Sequence, residues 1–365
     1  MIQLKEILSH LEDLAPKSSQ EQYDNAGLLV GNPAWEVKGV LVALDATEQV
    51  VEEAIEKGCN VLVVHHPIIF KGLKQLTGKN YVERVVLACI KNDIALYAIH
   101  TNLDNAKFGV NYEIGKRLGL INLCVLNPKS DMLSKLVVFV PHVHAEQVRT
   151  AAFHAGAGKI GNYIECHFGS EGIGTFLPTV GAKPYTGELG KRSEEGELKL
   201  EFLVSNHHLN KVVSAVLEVH PYEEVAYDIY ALKNVNQDEG AGMIGELKED
   251  EQAIDFLMRV KETFGCGIIR HTALTDKPIR KVAFCGGAGS FLLEEAKRKG
   301  ADIYLTGDVK YHEFFDADGG IIFADIGHFE SEQFTSHLLV EELKKKFTTF
   351  AVLITDVNTN PINYF

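Results

Sequence analysis

From Val40 onward, short uninterrupted apolar runs alternate with stretches whose apolar residues recur every three or four positions, the alternation a layered α/β domain requires. VLVAL (Val40 to Leu44) predicts a buried strand, because it contains no polar position for a solvent face. Asp45 and Glu48 follow at capping-box spacing, Val50, Val51, Ala54 and Ile55 mark one helical face, and Lys57-Gly58 supplies a helix end. VLVV (Val61 to Val64) predicts the next strand, and IALYAI (Ile94 to Ile99) a third. Between them Val85, Val86 and Cys89 suit a helix over Tyr81 to Asn92. The same grammar returns near the C-terminus, where KVAFC (Lys281 to Cys285), DIYLT (Asp302 to Thr306), GIIFAD (Gly320 to Asp325) and FAVLIT (Phe350 to Thr355) predict strands separated by helices. The two ends are expected to form one α/β unit.

The middle of the chain follows another pattern. LSKLVVFVP, YIECHF with GTFLPT, ELKLEFLVS and EEVAYDIYAL predict strands, and HAEQVRTAAFHAG and HLNKVVSAVLEV predict helices. Their β-α-β-β-α-β order is that of a split βαβ unit of the ferredoxin-like kind, inserted from about Leu133 to Leu232, with a long exposed loop from Val180 to Gly196. The expected domains are therefore residues 1–132, 133–232 and 233–365. Composition supports a large buried core, with 365 residues of which 46% are hydrophobic. A net charge of -14 argues against general nucleic-acid binding. The opening MIQLKEILSHLEDL is amphipathic and charged throughout, and no apolar window is long enough to span a membrane, so a cytoplasmic protein is expected. The six cysteines are widely spaced and include no CxxC pair.

Candidate chemistry gathers at strand ends, where the diverging loops of an open α/β sheet leave a crevice. His65-His66-Pro67 directly follows VLVV, and adjacent histidines there can point to different sides and serve different metals. IALYAI runs into His100 and Asp104, and GIIFAD runs into His328 and Glu332, whose i, i+4 spacing places imidazole and carboxylate on one helical face. Asp104 and Glu332 would offset the charge of two metals and bridge them. Structural alternatives stand beside each residue: a hydrogen-bonded loop histidine at His65 or His66, a capping or buried histidine at His328, a solvated charge at Glu332. Cys285 to Ser290 (CGGAGS) follows a strand and opens a helix, so the N–H groups of Gly286, Gly287, Gly289 and Ser290 are candidates for holding a phosphate, aided by Lys310. A tight turn is the alternative, since the segment lacks both GxGxxG and a Walker lysine. Asp308 and His312, past DIYLT, are candidate orienting groups or proton carriers, with structural roles equally open. His207, His208, His220, His142, His144 and His154 in the inserted unit are explained by turns and helix ends.

DNAGLLVG (Asp24 to Gly31), HHP, HTNLDNAKFGVN (His100 to Asn111), CGGAGS, TGDVKYHE and GHFESE, in this order, resemble the Nif-three-like proteins, also called GTP cyclohydrolase 1 type 2 homologues. The resemblance implies two related three-layer α/β/α lobes, a dinuclear metal centre in the cleft between them and a toroidal homohexamer. It places the five metal ligands at His65, His66, Asp104, His328 and Glu332, none missing. VHPYEEVAYDIYAL resembles the end of the PII- and CutA-like insert that the family's longer members carry. The implied cofactors are two divalent ions per subunit, zinc foremost, with iron or manganese as alternatives. The leading expectation is a metal-dependent hydrolase of GTP cyclohydrolase type, acting on a nucleotide or a small phosphorylated molecule, with His100, Asp308, His312 and Glu332 as candidate catalytic groups. A phosphoesterase, or a regulatory or metal-handling scaffold whose insert senses a ligand, are the alternatives.

Overall fold

A computed structural model describes residues 1–365. Its strands are β1 (Gly27–Val30), β2 (Gly39–Ala43), β3 (Val61–Val64), β4 (Ala95–Ala98), β5 (Ile121–Lys129), β6 (Leu133–Pro141), β7 (His167–Phe176), β8 (Ser193–Ser205), β9 (Tyr227–Leu232), β10 (Asn236–Glu251), β11 (Arg270–His271), β12 (Ile279–Ala288), β13 (Ile303–Gly307), β14 (Ile322–Asp325) and β15 (Ala351–Ile354). The chain divides into two compact units, one of Met1–Pro128 with Gln237–Phe365, the other of Lys129–Asn236. No helix is long and apolar enough to cross a membrane.

The first unit holds two sheets, ordered β1-β4-β3-β2-β15 and β11-β14-β13-β12-β10-β5. Each recruits a strand from the far end of the chain: β15 runs parallel to β2, and β5 lies beside β10. The apolar runs are strands buried on both faces, and alternation sorts their side chains. Val40, Val42, Val61 and Val63 enter one core, while Leu41, Ala43, Leu62 and Val64 enter a second with the helices Glu48–Glu56 and Tyr81–Lys91. In the other sheet, Val282, Phe284, Ile303 and Leu305 share the first of these cores, and Ala283, Tyr304 and Phe323 face a third. The shared core is completed by helix Leu4–Leu14, which buries Leu4, Ile7 and Leu11 along one stripe, and by helices Ala253–Phe264 and Thr335–Lys346. Each fully buried Leu or Val contributes about 1.5 to 3 kcal/mol relative to exposure, so these layers hold the strand ends at fixed positions.

One local expectation changes. The helix after β2 is capped by Thr47, whose Oγ1 accepts the Val50 N–H at 3.2 Å, and not by a box led by Asp45. The long strand β10 (NQDEGAGMIGELKEDE), interrupted by glycine and charge and so without a strand signal of its own, is held in the sheet by antiparallel pairing with β12.

The second unit is one antiparallel sheet in the order β7-β8-β6-β9. Helices Ala145–His154 and Leu209–Val219 cover one face, burying Leu136, Val138, Val140, Leu200, Phe202 and Val204 against Val148, Val212 and Val216. YIECHF and GTFLPT contribute to the single strand β7, and β8 begins at Ser193, so the loop between them covers residues 177–192 and not Val180 to Gly196.

Candidate metal centre

Each predicted strand end delivers its side chains to one place. Past β3, the backbone N–H of His65 and His66 bond to carbonyls at the end of β2, and the two rings diverge from there. His65 Nδ1 lies 2.8 Å from the Ile99 carbonyl oxygen, an obligate acceptor, so the proton sits on Nδ1 and Nε2 presents a lone pair. His66 Nδ1 is held at 2.7 Å by Asp45 and His328 Nδ1 at 2.8 Å by Asp308, which turns both Nε2 atoms inward, 3.3 Å apart. An imidazole whose other nitrogen is fixed by an oxygen acceptor is the arrangement that orients metal-ligating histidines. Past β4, His100 follows the same rule, its Nδ1 2.8 Å from Asp24. The charge and hydrogen bonds of His100 and Thr101 outweigh burial and hold the Asp24 carboxyl down at about 2.

Glu332 is the hinge of the cluster. Helix His328–Glu332 puts Glu332 Oε2 3.1 Å from His328 Nε2 and 3.0 Å from His66 Nε2, while Oε1 faces His65 Nε2 at 3.8 Å. On that side, Asp104 Oδ1 stands 3.5 Å from His65 Nε2, and both atoms are buried without a hydrogen-bond partner. A lone pair facing a carboxylate oxygen is repulsive and costly in a buried setting unless a cation lies between. Two donor groups thus meet at one carboxylate: His65, Asp104 and Glu332, and His66, His328 and Glu332, each with ligand atoms within 4.8 Å of one another. His100 forms a further such group with His65 and His66.

Protons respond to the same field. Burial disfavours the charged form of His66, but hydrogen bonds to Asp45 and Glu332 outweigh it and lift the ring to about 10; Glu332 and Asp308 likewise lift His328 to about 9. Burial alone dominates at His65, which is lowered, while burial and the neighbouring Glu332 raise Asp104. For Glu332, burial is outweighed by its histidine partners, which hold it well below the usual carboxylate range. Because His66 and His328 titrate higher folded than unfolded, their contribution to stability is complete below about pH 6.5 and disappears as pH rises through about 9 and 10. The metal-free protein is therefore expected to lose thermal stability steadily from neutral pH to about pH 10, measured by calorimetry after chelation. His66→Gln combined with His328→Gln should flatten that slope, and an unchanged slope would refute the assignment.

The cluster opens into a cavity of about 550 Å³ whose walls include Tyr23, Phe70, Phe291 and Phe329. The acidic residues lining it are Glu21, Asp45, Asp104, Asp308 and Glu332, and no lysine or arginine lines it. This changes several expectations. Lys310 is absent from the lining and pairs weakly with Glu313 at 3.9 Å. His312 is exposed, its ring against Tyr311 and Phe315, and also lies off the cavity. In the CGGAGS turn the N–H groups of Gly286, Gly287 and Gly289 already donate to Asn111 Oδ1, Ser331 Oγ and Thr306 Oγ1 at 2.9 to 3.0 Å, so they are not free to cradle a phosphate. Ser290 opens the turn Ser290–Leu292 and does not line the cavity. Gly287 has another importance. It sits at φ +62°, and a Cβ there would lie 2.3 Å from Glu332 Oε1, so Gly287→Val should cost metal content. Asp24 and Asp45, the carboxylates behind His100 and His66, were not identified in the sequence as orienting groups. Their signal was an acidic residue at a strand end or in the DNAGLLVG segment for each inward-facing histidine.

The family description Duf34/NIF3 (NGG1p interacting factor 3) matches residues 2–361. A GTP cyclohydrolase 1 type 2 homolog of Halalkalibacterium halodurans is 41% identical over 365 residues, covering 98% of each chain. A protein of the same description from Bacillus subtilis is 38% identical over 99% of this chain and 98% of its own. The crystal structure of a Bacillus cereus protein related to NIF3 superposes with a TM-score of 0.88 at 40% identity, over 100% of this chain and 99% of that one.

Proposed function

The chain belongs to the Duf34/NIF3 family, and from that premise we propose that it is a metal-dependent hydrolase of the cyclohydrolase type, with two ions held by His65, His66, Asp104, His328 and Glu332. One observation carries the reading: His65 Nε2 and Asp104 Oδ1 face each other at 3.5 Å, buried and without hydrogen-bond partners. Glu332, whose two oxygens turn to different donor groups, would help to hold both ions. The nitrogen and oxygen donor set suits zinc, and equally iron or manganese. Bound there, such ions would acidify a water to near neutral pKa and polarise the bond to be cleaved.

The protein's own residues do the rest. Asp45 and Asp308 hold the rings of His66 and His328 in one tautomer and orientation. His100, oriented by Asp24 and lining the cavity, is the group placed to take a proton from water and return it to a leaving nitrogen or oxygen. His100→Asn should lower kcat by roughly 100- to 10,000-fold, with metal content unchanged by elemental analysis; loss of metal instead would make His100 a ligand. Substrate contacts come from Tyr23, Phe70, Phe291 and Phe329, which suit a planar ring. With no lysine or arginine on the walls, a triphosphate would have only the proposed ions to neutralise it, so ring opening of a nucleoside-like or monophosphorylated compound is favoured over polyphosphate or general phosphoester hydrolysis.

The test is turnover by defined dizinc, dimanganese and diiron preparations of guanosine, its monophosphate, GTP and a phosphoester panel, against Asp104→Asn. If every fully loaded form is inert on all of them, the hydrolase reading falls. The same proposal includes a ferredoxin-like, PII- and CutA-like character for Lys129–Asn236, whose strand order β7-β8-β6-β9 suits that plan, and a toroidal homohexamer, checked by light scattering.

A further inference from the structure

The unit Lys129–Asn236 contains a cavity of its own, of about 560 Å³. Strand alternation places it. Leu198, Leu200 and Phe202 of β8 and Val138 and Val140 of β6 enter the core under the helices, so Glu197, Lys199 and Phe139, which line the cavity, stand on the opposite face of the sheet. The segment from Leu177 to Thr186 and the turn around Tyr222 wall it in. Both are tethered: the Lys183 N–H donates to Glu223 at 2.6 Å, the Tyr185 hydroxyl lies 3.0 Å from His144 Nε2, and Thr186 donates to Glu195 at 3.1 Å. The cavity is therefore preformed.

We propose that it binds a small organic cation, an ammonium group carried on an aromatic or branched apolar body, with Glu197 as the counter-ion. Glu197 is only 9% exposed. Its Oε1 accepts the Tyr222 hydroxyl at 2.8 Å, and its Oε2 occupies the space over Gly174, where a Cβ would lie 2.2 Å from it. Burial and the Glu197 carboxylate push the Tyr222 hydroxyl upward, so the tyrosine keeps its proton and remains the donor. The one lysine among the lining residues does not neutralise Glu197, because Lys199 pairs with Glu201 at 2.6 Å. A buried carboxylate supported by one neutral donor is under-compensated, and a cation entering beside it relieves that cost. The walls suit the same ligand. Tyr185 and Tyr222 lie with ring centroids 5.9 Å apart, and Phe139, Phe176, Pro178 and Pro184 add apolar surface, the combination that holds an ammonium by its charge and its body by contact. Glu171, Glu197, Glu223 and Glu224 among the lining residues, against one lysine, repel anions, which excludes nucleotides.

The experiment is titration calorimetry on the full-length, metal-loaded protein with three probes: phenethylammonium, 3-phenylpropionate and ATP. Phenethylammonium is expected to bind and the two anions not to. Glu197→Gln should weaken phenethylammonium by about tenfold or more, the loss of one charge-assisted contact, whereas Lys199→Gln should leave it unchanged or tighten it. Gly174→Val, with folding verified by circular dichroism, should abolish it by displacing Glu197. Metal content should be the same in all three variants. Equal affinity in wild type and Glu197→Gln, tighter binding of either anion, or no binding of phenethylammonium at millimolar concentration would each overturn the assignment.

Discussion

Glu332→Gln is expected to strip the centre of metal, lowering affinity by more than about a hundredfold, beyond what loss of an orienting partner causes. The reason is geometric. Oε1 faces His65 at 3.8 Å and Oε2 approaches His66 and His328 at 3.0 and 3.1 Å, so one amide substitution removes a negative donor from both groups at once. Asp45→Asn reaches the proposed ligands only through the orientation of His66 and should cost about ten- to a hundredfold for one ion. Competition with a chromophoric chelator, together with elemental analysis, separates the two variants. A second readout comes from protons: Glu332 is the shared partner that, with Asp45 and Asp308, lifts His66 to about 10 and His328 to about 9, so the metal-free Glu332→Gln protein should lose part of the decline in stability between neutral pH and pH 10. Should Glu332→Gln retain two ions with wild-type affinity, the shared-carboxylate proposal is wrong.

What the sequence made legible here follows from the range of each interaction. β3 is visible because VLVV is apolar on both faces, and the helical pair His328 and Glu332 is visible because i, i+4 spacing is local. The orienting carboxylates were less legible. Asp45 has a local explanation as a cap, yet the structure gives that role to Thr47 and bonds Asp45 to His66 and to Thr359, more than three hundred positions away. The CGGAGS turn misled for the same reason, since the side chains that occupy its amides, Asn111, Thr306 and Ser331, arrive from three other elements. Strands β5 and β15 exchange between the two sheets of the first unit, a pairing that no periodicity encodes.

Deleting Lys129–Asn236 and joining its flanks through a few flexible residues is expected to leave two ions bound per chain. The excised unit leaves from the end of β5 and the chain returns at β10, which neighbours β5 in the same sheet. The two strands touch: a Cβ on Gly240 would lie 2.2 Å from the Asn127 carbonyl oxygen and 2.7 Å from Pro128 Cα, so a short linker closes the gap without strain. The cores are separate as well. Leu136, Val138, Leu200, Phe202 and their partners form a cluster drawn entirely from the excised residues, and the three clusters around the first unit's sheets draw on none of them. His65, His66, Asp104, His328 and Glu332 all belong to the retained unit and rest on β3, β4 and β14. The truncated protein should therefore match wild type in metal stoichiometry by elemental analysis and in chelator competition, while losing all heat with phenethylammonium. A truncated protein that is folded by circular dichroism but binds no metal would show that the centre depends on the inserted residues, and the separation argued from the four cores would have to be abandoned.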